Sequence, residues 1–391
     1  MKIVERLDDA LTRIARQEEE LHAWAHVDAT GARRQAASSL PGQPLDGVLV
    51  GVKDIIDVGG LPCCLGSPIY RDRIAFADAA LVARLKALGA IVLGKTTTTA
   101  FAYLEPAATR NPLDLARSPG GSSSGSAAAV AAGQVDVALA TQTAGSIARP
   151  SAFCGIVGYK PTHGRFGLAG VASSAPTLDT VGWMTRNVET SLRLHLALGG
   201  DTPIGPAHSL GFCRTMHWDV AEPAMRNAFL RATAMLGASE VPSPPGTLET
   251  CHRTIMHFEM ARDLSTDWLQ HREAMSPPLH ALLSQPAPSA RDYREALSLR
   301  RRFDLDELFG THEVLLTPSA PGEAVPYGST GDPAFNRFVT LLGCPSVTLP
   351  FAHGPNGLPL GLQIIARPEQ DPMLLATAGE VEARLGRERT L

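Results

Sequence analysis

The chain has 391 residues, of which 44% are hydrophobic and 19% charged, and its formal net charge is −4. This composition is typical of a folded protein with a substantial core and excludes an intrinsically disordered one. Because the charge balance is slightly acidic and no basic run stands out, we expect neither nucleic acid nor an anionic membrane as the main partner.

The lack of a recognisable targeting segment and the cysteine usage lead us to expect a cytoplasmic protein. The first 21 residues are too charged for a signal peptide, and no run of about 18 uncharged apolar residues predicts a transmembrane helix. The six cysteines show no CxxC spacing, so we expect buried thiols rather than a disulfide framework.

The N-terminal part begins with a helix and then a strand. Residues 1–21 fit an amphipathic helix, residues 37–45 read as a loop, and residues 48–52 form an apolar, β-rich strand. This strand delivers Lys53 and Asp54 at its end. A lysine in this position is either drawn into the core or left on the surface.

Residues 89–96 match the literal phosphate-loop pattern GxxxxGKT, but we reject a nucleotide site there. Residues 78–88 have helical periodicity, with Asp78 as the expected N-cap and Gly89 as the stop. The four interior residues of the motif are Ala-Ile-Val-Leu, which favour a strand. A phosphate loop follows a strand and opens a helix, whereas this motif follows a helix and contains the strand.

The segment 118–161 joins two loops of small residues through a helix and a strand. Residues 119–125 form the first loop, residues 126–133 an alanine-rich helix, residues 135–141 a buried strand, and residues 143–146 the second loop. Small residues allow several backbone N–H groups to converge on a developing negative charge.

The first loop has three other interpretations. A flexible linker is disfavoured because it would not lead directly into an alanine-rich helix and an apolar strand. A phosphate cradle would need a cation, and Arg117 could serve. A nucleophile elbow would use the GxSxG pattern of residues 121–125, with Ser123 as the nucleophile, but residues 111–119 before it are loop-like and no Asp and His partners stand out.

The remaining elements alternate between helix and strand, which predicts an α/β fold. The chain shows no internal repeat and no sharp composition shift, so we expect one domain over residues 1–391, with residues 261–309 as a candidate helical cap. Loops are predicted at residues 201–206 and 241–246. Helices are predicted at residues 187–198 (N-cap Asn187), 222–236, 250–309 with breaks near Pro277 and Pro286, 333–342 and 371–385. Strands are predicted at residues 156–159, 210–213, 313–317, 346–349 and 362–366.

Metal binding is not favoured by the histidine spacing. His22 and His26 are four residues apart, but no Glu lies between them as a zinc protease motif requires, and His252 and His257 do not share a helix face. We therefore expect structural histidines, with neither a metal nor a cofactor.

Lys53 offers a different base for a serine nucleophile. A serine hydroxyl is a weak nucleophile at its ordinary pKa and needs a base. A lysine can serve when burial lowers its pKa, and a second serine can pass the proton between the nucleophile and the amine. The backbone amides of the small-residue loops would then form the oxyanion hole.

Five segments together resemble the amidase signature family over most of the chain. The resemblance implies the fold of that family, a mixed central sheet covered by helices on both faces. It implies Ser146 as the nucleophile, Ser122 as a bridging serine preceded by a cis peptide bond, and Lys53 as the base. The segments are residues 51–54 (GVKD), 119–126 (PGGSSSGS), 145–155 (GSIARPSAFCG), 160–162 (KPT) and 361–366 (GLQIIA).

The resemblance also implies that backbone amides of the second loop form the oxyanion hole, namely those of Thr143, Ala144, Gly145 and Ser146. Ala144 departs from the family pattern, because many members carry Gly there.

Two further departures concern Gln142, where many members carry Asp, and the arginine that many members place two residues after the nucleophile. Here Ala148 occupies that position and Arg149 follows it. Bacterial malonamidases are similar in both respects and also in residues 94–102, 178–182 and 329–333. In those enzymes the shifted arginine binds a substrate carboxylate, which suits the paired donors of a guanidinium. A structural arginine that ties down a loop is the equal alternative.

These features lead us to expect an amidase that hydrolyses a small, malonamate-like amide to an acid and ammonia. The resemblance suggests a homodimer. An amidotransferase A-type subunit, with a tRNA surface and a second protein as partner, is an alternative within the same family. A catalytically inactive binding protein of the same fold is an alternative from another class.

Overall fold

The structure is a computed structural model that describes residues 3–201 and 205–388. Residues 1–2 of the predicted first helix and residues 202–204 of a predicted loop lie outside the described residues. The strands are β1 Trp24–Val27, β2 Leu49–Lys53, β3 Ile91–Thr96, β4 Val137–Gln142, β5 Val157–Lys160, β6 Thr180–Thr185, β7 Leu210–Phe212, β8 Ser239–Glu240, β9 Val314–Pro318, β10 Ser346–His353 and β11 Pro359–Ala366. The helices are α1 Ile3–Leu21, α2 Ala29–Ala37, α3 Ala80–Ala87, α4 Ser124–Ala131, α5 Ala148–Cys154, α6 Val188–Ala197, α7 Pro223–Leu236, α8 Thr247–Asp263, α9 Ser265–His271, α10 Pro277–Leu283, α11 Ala290–Arg302, α12 Leu305–Phe309, α13 Arg337–Leu341 and α14 Asp371–Glu388.

Within the described residues, all strands join one mixed sheet in the order β1-β3-β2-β4-β6-β5-β10-β11-β9-β7-β8. Strand β2 runs parallel to its neighbours β3 and β4, whereas β4 and β6 are antiparallel. The ends of β2 and β4 therefore meet at the same edge of the sheet, where the residues that follow each strand come together.

Helices cover both faces of this sheet, as the resemblance implied. Successive residues of a strand point to opposite faces. Accordingly, Leu49 and Ile91 pack in a core with α1 and α4, whereas Val50 and Val92 pack in a second core with α3, α6, α7 and α14. The α/β prediction is confirmed.

Most predicted elements are present, with a few differences. Strands β1, β6 and β8 and helices α2 and α5 were not predicted, and the helix expected over residues 333–342 is confined to α13. Asp78 was wrongly predicted as an N-cap, because the cap position is Ala79 and the Asp78 carboxylate instead accepts hydrogen bonds from Gly59 N and Lys86 Nζ. Asn187 does cap α6, accepting from Thr190 N.

The segment from α8 to α12 contributes no strand to the described sheet. Within this segment, α11 packs on α8. That the chain forms one domain, with residues 261–309 as a cap, stays a prediction. None of the helices in the described part of the chain is both long and apolar enough to cross a membrane.

The lysine of the GKT pattern lies in the core, where it forms a buried ion pair. Strand β3 runs through the motif, as its Ala-Ile-Val-Leu interior predicted. Lys95 Nζ lies 3.0 Å from Asp54 Oδ1 and also donates to Pro62 O at 3.1 Å. Burial raises the pKa of the Asp54 carboxyl, and Lys95 opposes this effect. The pair therefore joins the residue after β2 to strand β3.

Replacing Lys95 by Met should destabilise the fold by about 3–5 kcal/mol, because the Asp54 carboxylate would stay buried without its cation. Guanidinium unfolding at pH 7 measures this loss. The control is Arg33→Gln, which breaks an exposed pair with Asp8 and should leave the unfolding midpoint unchanged. Equal midpoints for the two variants would contradict the prediction.

Candidate active site

Lys53 is fully buried at the end of β2 and bonds to two hydroxyl groups. Its Nζ donates to Ser122 Oγ at 2.8 Å and to Thr141 Oγ1 at 2.8 Å. Burial lowers the pKa of the Lys53 amine to about 7, although the charge of Asp179 opposes the shift. The structure therefore draws Lys53 into the core and brings it together with Ser122.

The first loop places Ser122 against the segment that follows strand β3. The peptide bond between Gly121 and Ser122 is cis, as the resemblance implied. The backbone carbonyl of Ser122 accepts from Thr99 N and from Thr98 Oγ1, each at 3.2 Å. The helix that follows, α4, also packs closely here, since a Cβ atom on Gly125 would lie 2.2 Å from Ala23 O and 2.4 Å from Thr97 N.

The second loop runs from the end of β4 into α5 and is closed by Gln142. The side-chain Oε1 of Gln142 accepts from Ile147 N at 2.9 Å and from Ala148 N at 3.0 Å. Its Nε2 donates to Thr340 Oγ1 at 3.0 Å. Gln142 therefore ties together the two ends of the loop that carries Ser146.

Gly145 and Ser146 lie at the centre of this loop. A Cβ atom on Gly145 would lie 2.5 Å from Asn336 Oδ1 and 2.8 Å from Pro333 Cβ, so only glycine fits without a shift of α13 and its preceding turn. Ser146 is buried apart from the part of its surface that lines a cavity. The structure thus places the Ser146 hydroxyl beside a space that can hold a ligand.

Two residues that the sequence did not single out hold Thr143, the first residue of the loop. The Thr143 hydroxyl donates to the carboxylate of Asp179, and the Thr143 carbonyl accepts from His252 Nε2 at 2.8 Å. Asp179 also accepts from Ser173 Oγ and from two backbone N–H groups, and burial raises the pKa of its carboxyl. The earlier signals were that residues 178–182 belong to the quoted resemblance and that His252 was expected to be a structural histidine.

Arg149 is buried one turn after Ser146. Its Nη2 donates to Gly121 O at 2.7 Å, so the guanidinium holds the peptide that precedes Ser122. Its Nε and Nη1 atoms are buried and have no partner among the described residues. Burial lowers the pKa of the Arg149 guanidinium to about 10. The structure thus shows both a loop contact and donors that remain free for a ligand.

The cavity beside Ser146 has a volume of about 110 Å³ and is both apolar and cationic. Its polar residues are Thr141, Thr143, Ser146, Ser174, Asp179, Tyr103 and the three arginines Arg149, Arg253 and Arg337. Its apolar residues are Ile55, Phe101, Ala102, Leu104, Ala144, Val171, Ala172, Met256, Met260 and Pro333.

The three arginines of the cavity differ in their carboxylate partners. Arg337 lies 3.1 Å from Glu249 and 3.3 Å from Asp332, and Arg253 lies 2.6 Å from Glu249. Within the described residues, Arg149 forms no ion pair. A buried cation without a carboxylate favours an anionic ligand.

The structure does not support the other interpretations of the first loop. Ser123 Oγ donates to Thr141 O rather than to a histidine, so the residues of a nucleophile elbow are not brought together. Arg117 donates to Ala324 O and pairs with Asp114, which occupies the cation that a phosphate cradle would use. Over residues 3–201 and 205–388, no three His, Cys, Asp or Glu residues form a group able to hold a metal ion.

Comparisons with known proteins identify related sequences and structures. The model of the family described as Amidase matches residues 5–375. The A-type subunit of a glutamyl-tRNA(Gln) amidotransferase from Maridesulfovibrio salexigens is 32% identical, over 97% of this chain and 93% of that protein.

Solved structures are similar over almost the whole chain. A crystal structure of an amidase has 30% identity and a TM-score of 0.90, covering 99% of this chain and 97% of that one. A peptide amidase from Stenotrophomonas maltophilia has 25% identity and a TM-score of 0.83, covering 99% and 94%.

The buried Lys53 amine should make stability depend on pH. Its pKa is about 7 in the folded state against 10.5 for an exposed lysine, so between these values the unfolded state binds more protons. Stability contributed by Lys53 therefore rises with pH, by about 2 kcal/mol from pH 7 to pH 9. Urea unfolding of the wild type and of Lys53→Met at both pH values isolates the contribution of the Lys53 amine to the free energy of unfolding. The same pH dependence in both proteins would show that the Lys53 amine is not shifted.

Proposed function

Because the chain belongs to the amidase family, which hydrolyses amide C–N bonds, we propose that it converts a small carboxylic amide to an acid and ammonia. The proposed machinery is Ser146 as nucleophile, Ser122 as proton relay and Lys53 as base. The observation that carries the proposal is the 2.8 Å hydrogen bond between the buried Lys53 amine and Ser122 Oγ. A base is most effective when its pKa lies near the working pH, and the pKa of Lys53 is about 7.

The reaction proceeds through an acyl-enzyme. Neutral Lys53 accepts a proton from Ser122, which in turn takes the proton of Ser146 as the Ser146 oxygen attacks the amide carbon. The carbonyl oxygen becomes negative and is stabilised by N–H groups of Thr143, Ala144 and Gly145. The relay returns the proton to the amide nitrogen, the C–N bond breaks and ammonia leaves. Water then attacks the acyl-enzyme by the same relay, which releases the acid and restores Ser146.

The substrate is proposed to carry a carboxylate that Arg149 binds, as in a malonamate-like amide. Three features support this proposal: the Nε and Nη1 donors of Arg149 have no partner among the described residues, no described carboxylate forms an ion pair with Arg149, and Arg149 lies one turn after Ser146. Charged hydrogen bonds in a buried site are stronger than neutral ones, so this contact would select an anionic substrate.

The amidotransferase A-type function is the second candidate, because relatives that match nearly the full chain carry that name. It predicts ammonia release from glutamine and association with a second protein. Gel filtration of the purified chain and comparison of glutamine with malonamate distinguish the two functions.

A homodimer, a cytoplasmic location and a single domain with residues 261–309 as a cap also stay proposals.

Ser146→Ala, Ser122→Ala and Lys53→Ala should each lower kcat/KM for the amide by at least about 10³-fold, because each removes one part of the relay. The matched control is Ser123→Ala, a buried neighbouring serine that should keep activity within about tenfold. In the wild type, kcat/KM should rise with pH to a plateau above about pH 7, since only the neutral amine accepts a proton. Near wild-type turnover by Ser122→Ala or Lys53→Ala would falsify the relay.

Ammonia release from malonamate and from an uncharged amide of similar size tests the role of Arg149. The wild type should prefer malonamate, and Arg149→Met should lose roughly 10- to 100-fold of that preference because a charged hydrogen bond disappears. Arg253→Met serves as the control, since Arg253 lies on the same cavity but is paired with Glu249. An unchanged preference in Arg149→Met would instead make Arg149 a purely structural residue.

A further inference from the structure

Two consecutive carbonyl groups of the second loop are each held by a side chain from a distant helix. The Thr143 carbonyl accepts from His252 Nε2 of α8 at 2.8 Å. The Ala144 carbonyl accepts from Thr340 Oγ1 of α13 at 3.0 Å. Both donor side chains, those of His252 and Thr340, are buried. Two consecutive peptide groups of the loop are therefore fixed in orientation.

Fixing a carbonyl also fixes the N–H of the same peptide group. A trans peptide group is planar, and its C=O and N–H bonds point in opposite directions. The N–H of Ala144 therefore points away from His252, and the N–H of Gly145 points away from Thr340. Neither N–H donates to an acceptor within residues 3–201 and 205–388. Gly145 is buried and Ala144 lines the cavity beside Ser146, so we expect a ligand in that cavity to supply the acceptor for these two N–H groups.

We propose that His252 and Thr340 are positioning residues that aim the N–H groups of Ala144 and Gly145 at the oxygen of the tetrahedral intermediate. This inference rests on the proposed function. It assigns a role in the reaction to α8 and α13, whose side chains have no part in the proton relay.

The surroundings of both residues fit this role. Thr340 Oγ1 also accepts from Gln142 Nε2, so the side chain that closes the loop aims the Thr340 hydroxyl as well. A second carbonyl, that of Asn336, lies 3.2 Å from Thr340 Oγ1, farther than the Ala144 carbonyl. His252 Nδ1 is buried with no partner among the described residues, so Nε2 carries the ring proton of the neutral imidazole. Burial lowers the pKa of His252 to about 4, which keeps the ring neutral near pH 7.

The test compares variants that remove the hydrogen bond with variants that keep it. Thr340→Val and His252→Leu remove the donors at similar side-chain volume, whereas Thr340→Ser and His252→Gln retain one. We expect kcat for the amide to fall roughly 10- to 100-fold in the first two variants, with KM within about twofold, because misaimed donors weaken transition-state binding alone. Thr340→Ser and His252→Gln should recover most of the activity.

Methylboronic acid gives a readout that a merely structural role would not move. Its boron forms a tetrahedral adduct with a serine hydroxyl, so its Ki should weaken in Thr340→Val and His252→Leu by the same factor as kcat/KM. Active sites are counted by fluorophosphonate labelling, so that an unfolded fraction lowers the count but leaves Ki unchanged. Should one variant fail to fold, the other decides, because each residue holds a different carbonyl from a different helix.

The outcomes separate this inference from the proposed function. A wild type that hydrolyses no amide and does not bind methylboronic acid would refute the proposed function. An active wild type, with Thr340→Val or His252→Leu giving unchanged kcat per active site and unchanged Ki, would overturn the role of the two positioning residues alone.

Discussion

The site depends on the Lys53 amine, which is held in the core and forms no ion pair among the described residues. Lys53 is buried against the hydroxyls of Ser122 and Thr141, and desolvation keeps its pKa near 7. Lys95 is also buried but pairs with Asp54, the residue that follows Lys53 in the chain. Neighbouring residues at a strand end point to opposite faces of the sheet. The Asp54 carboxylate therefore pairs with Lys95 of β3 and does not form an ion pair with the Lys53 amine. The segment that ends β2 thus supplies a carboxylate partner to Lys95 and leaves the Lys53 amine bonded to hydroxyl groups.

The fold supplies this environment through the sheet. Parallel strands β2 and β4 end at the same edge, so Lys53 and the loop with Ser146 meet there although 93 residues separate them in sequence. Gly125 lets α4 approach the segment after β3 closely, and Gln142 closes the second loop against Thr340. Each of these contacts is either a buried hydrogen bond or a close approach that a small residue permits. The positions of Ser122 and Ser146 are therefore narrowly fixed.

The sequence predicted the features that depend on local pattern. The strand before Lys53, the small-residue helix and the strand inside the GKT pattern follow from periodicity and residue size, and the structure contains all three. It could not predict contacts between distant segments: His252 is 109 residues from Thr143, and Thr340 is 196 residues from Ala144. The N-cap expected at Asp78 was wrong for the same reason, because Gly59 and Lys86 compete for its carboxylate. The proposed catalytic roles came from the family resemblance, since spacing alone left several nucleophiles open.

The charge of the cavity has a consequence for the end of the reaction. Hydrolysis turns a neutral amide group into a carboxylate, so the bound ligand gains one negative charge. The three arginines of the cavity keep their positive charges. The Arg149 guanidinium, which has no carboxylate partner among the described residues, would then attract the product more strongly than it attracted the substrate. Departure of the acid, rather than bond cleavage, would thus govern how fast the enzyme turns over as product accumulates. Dissolved salt, which screens such attraction, would hasten that departure.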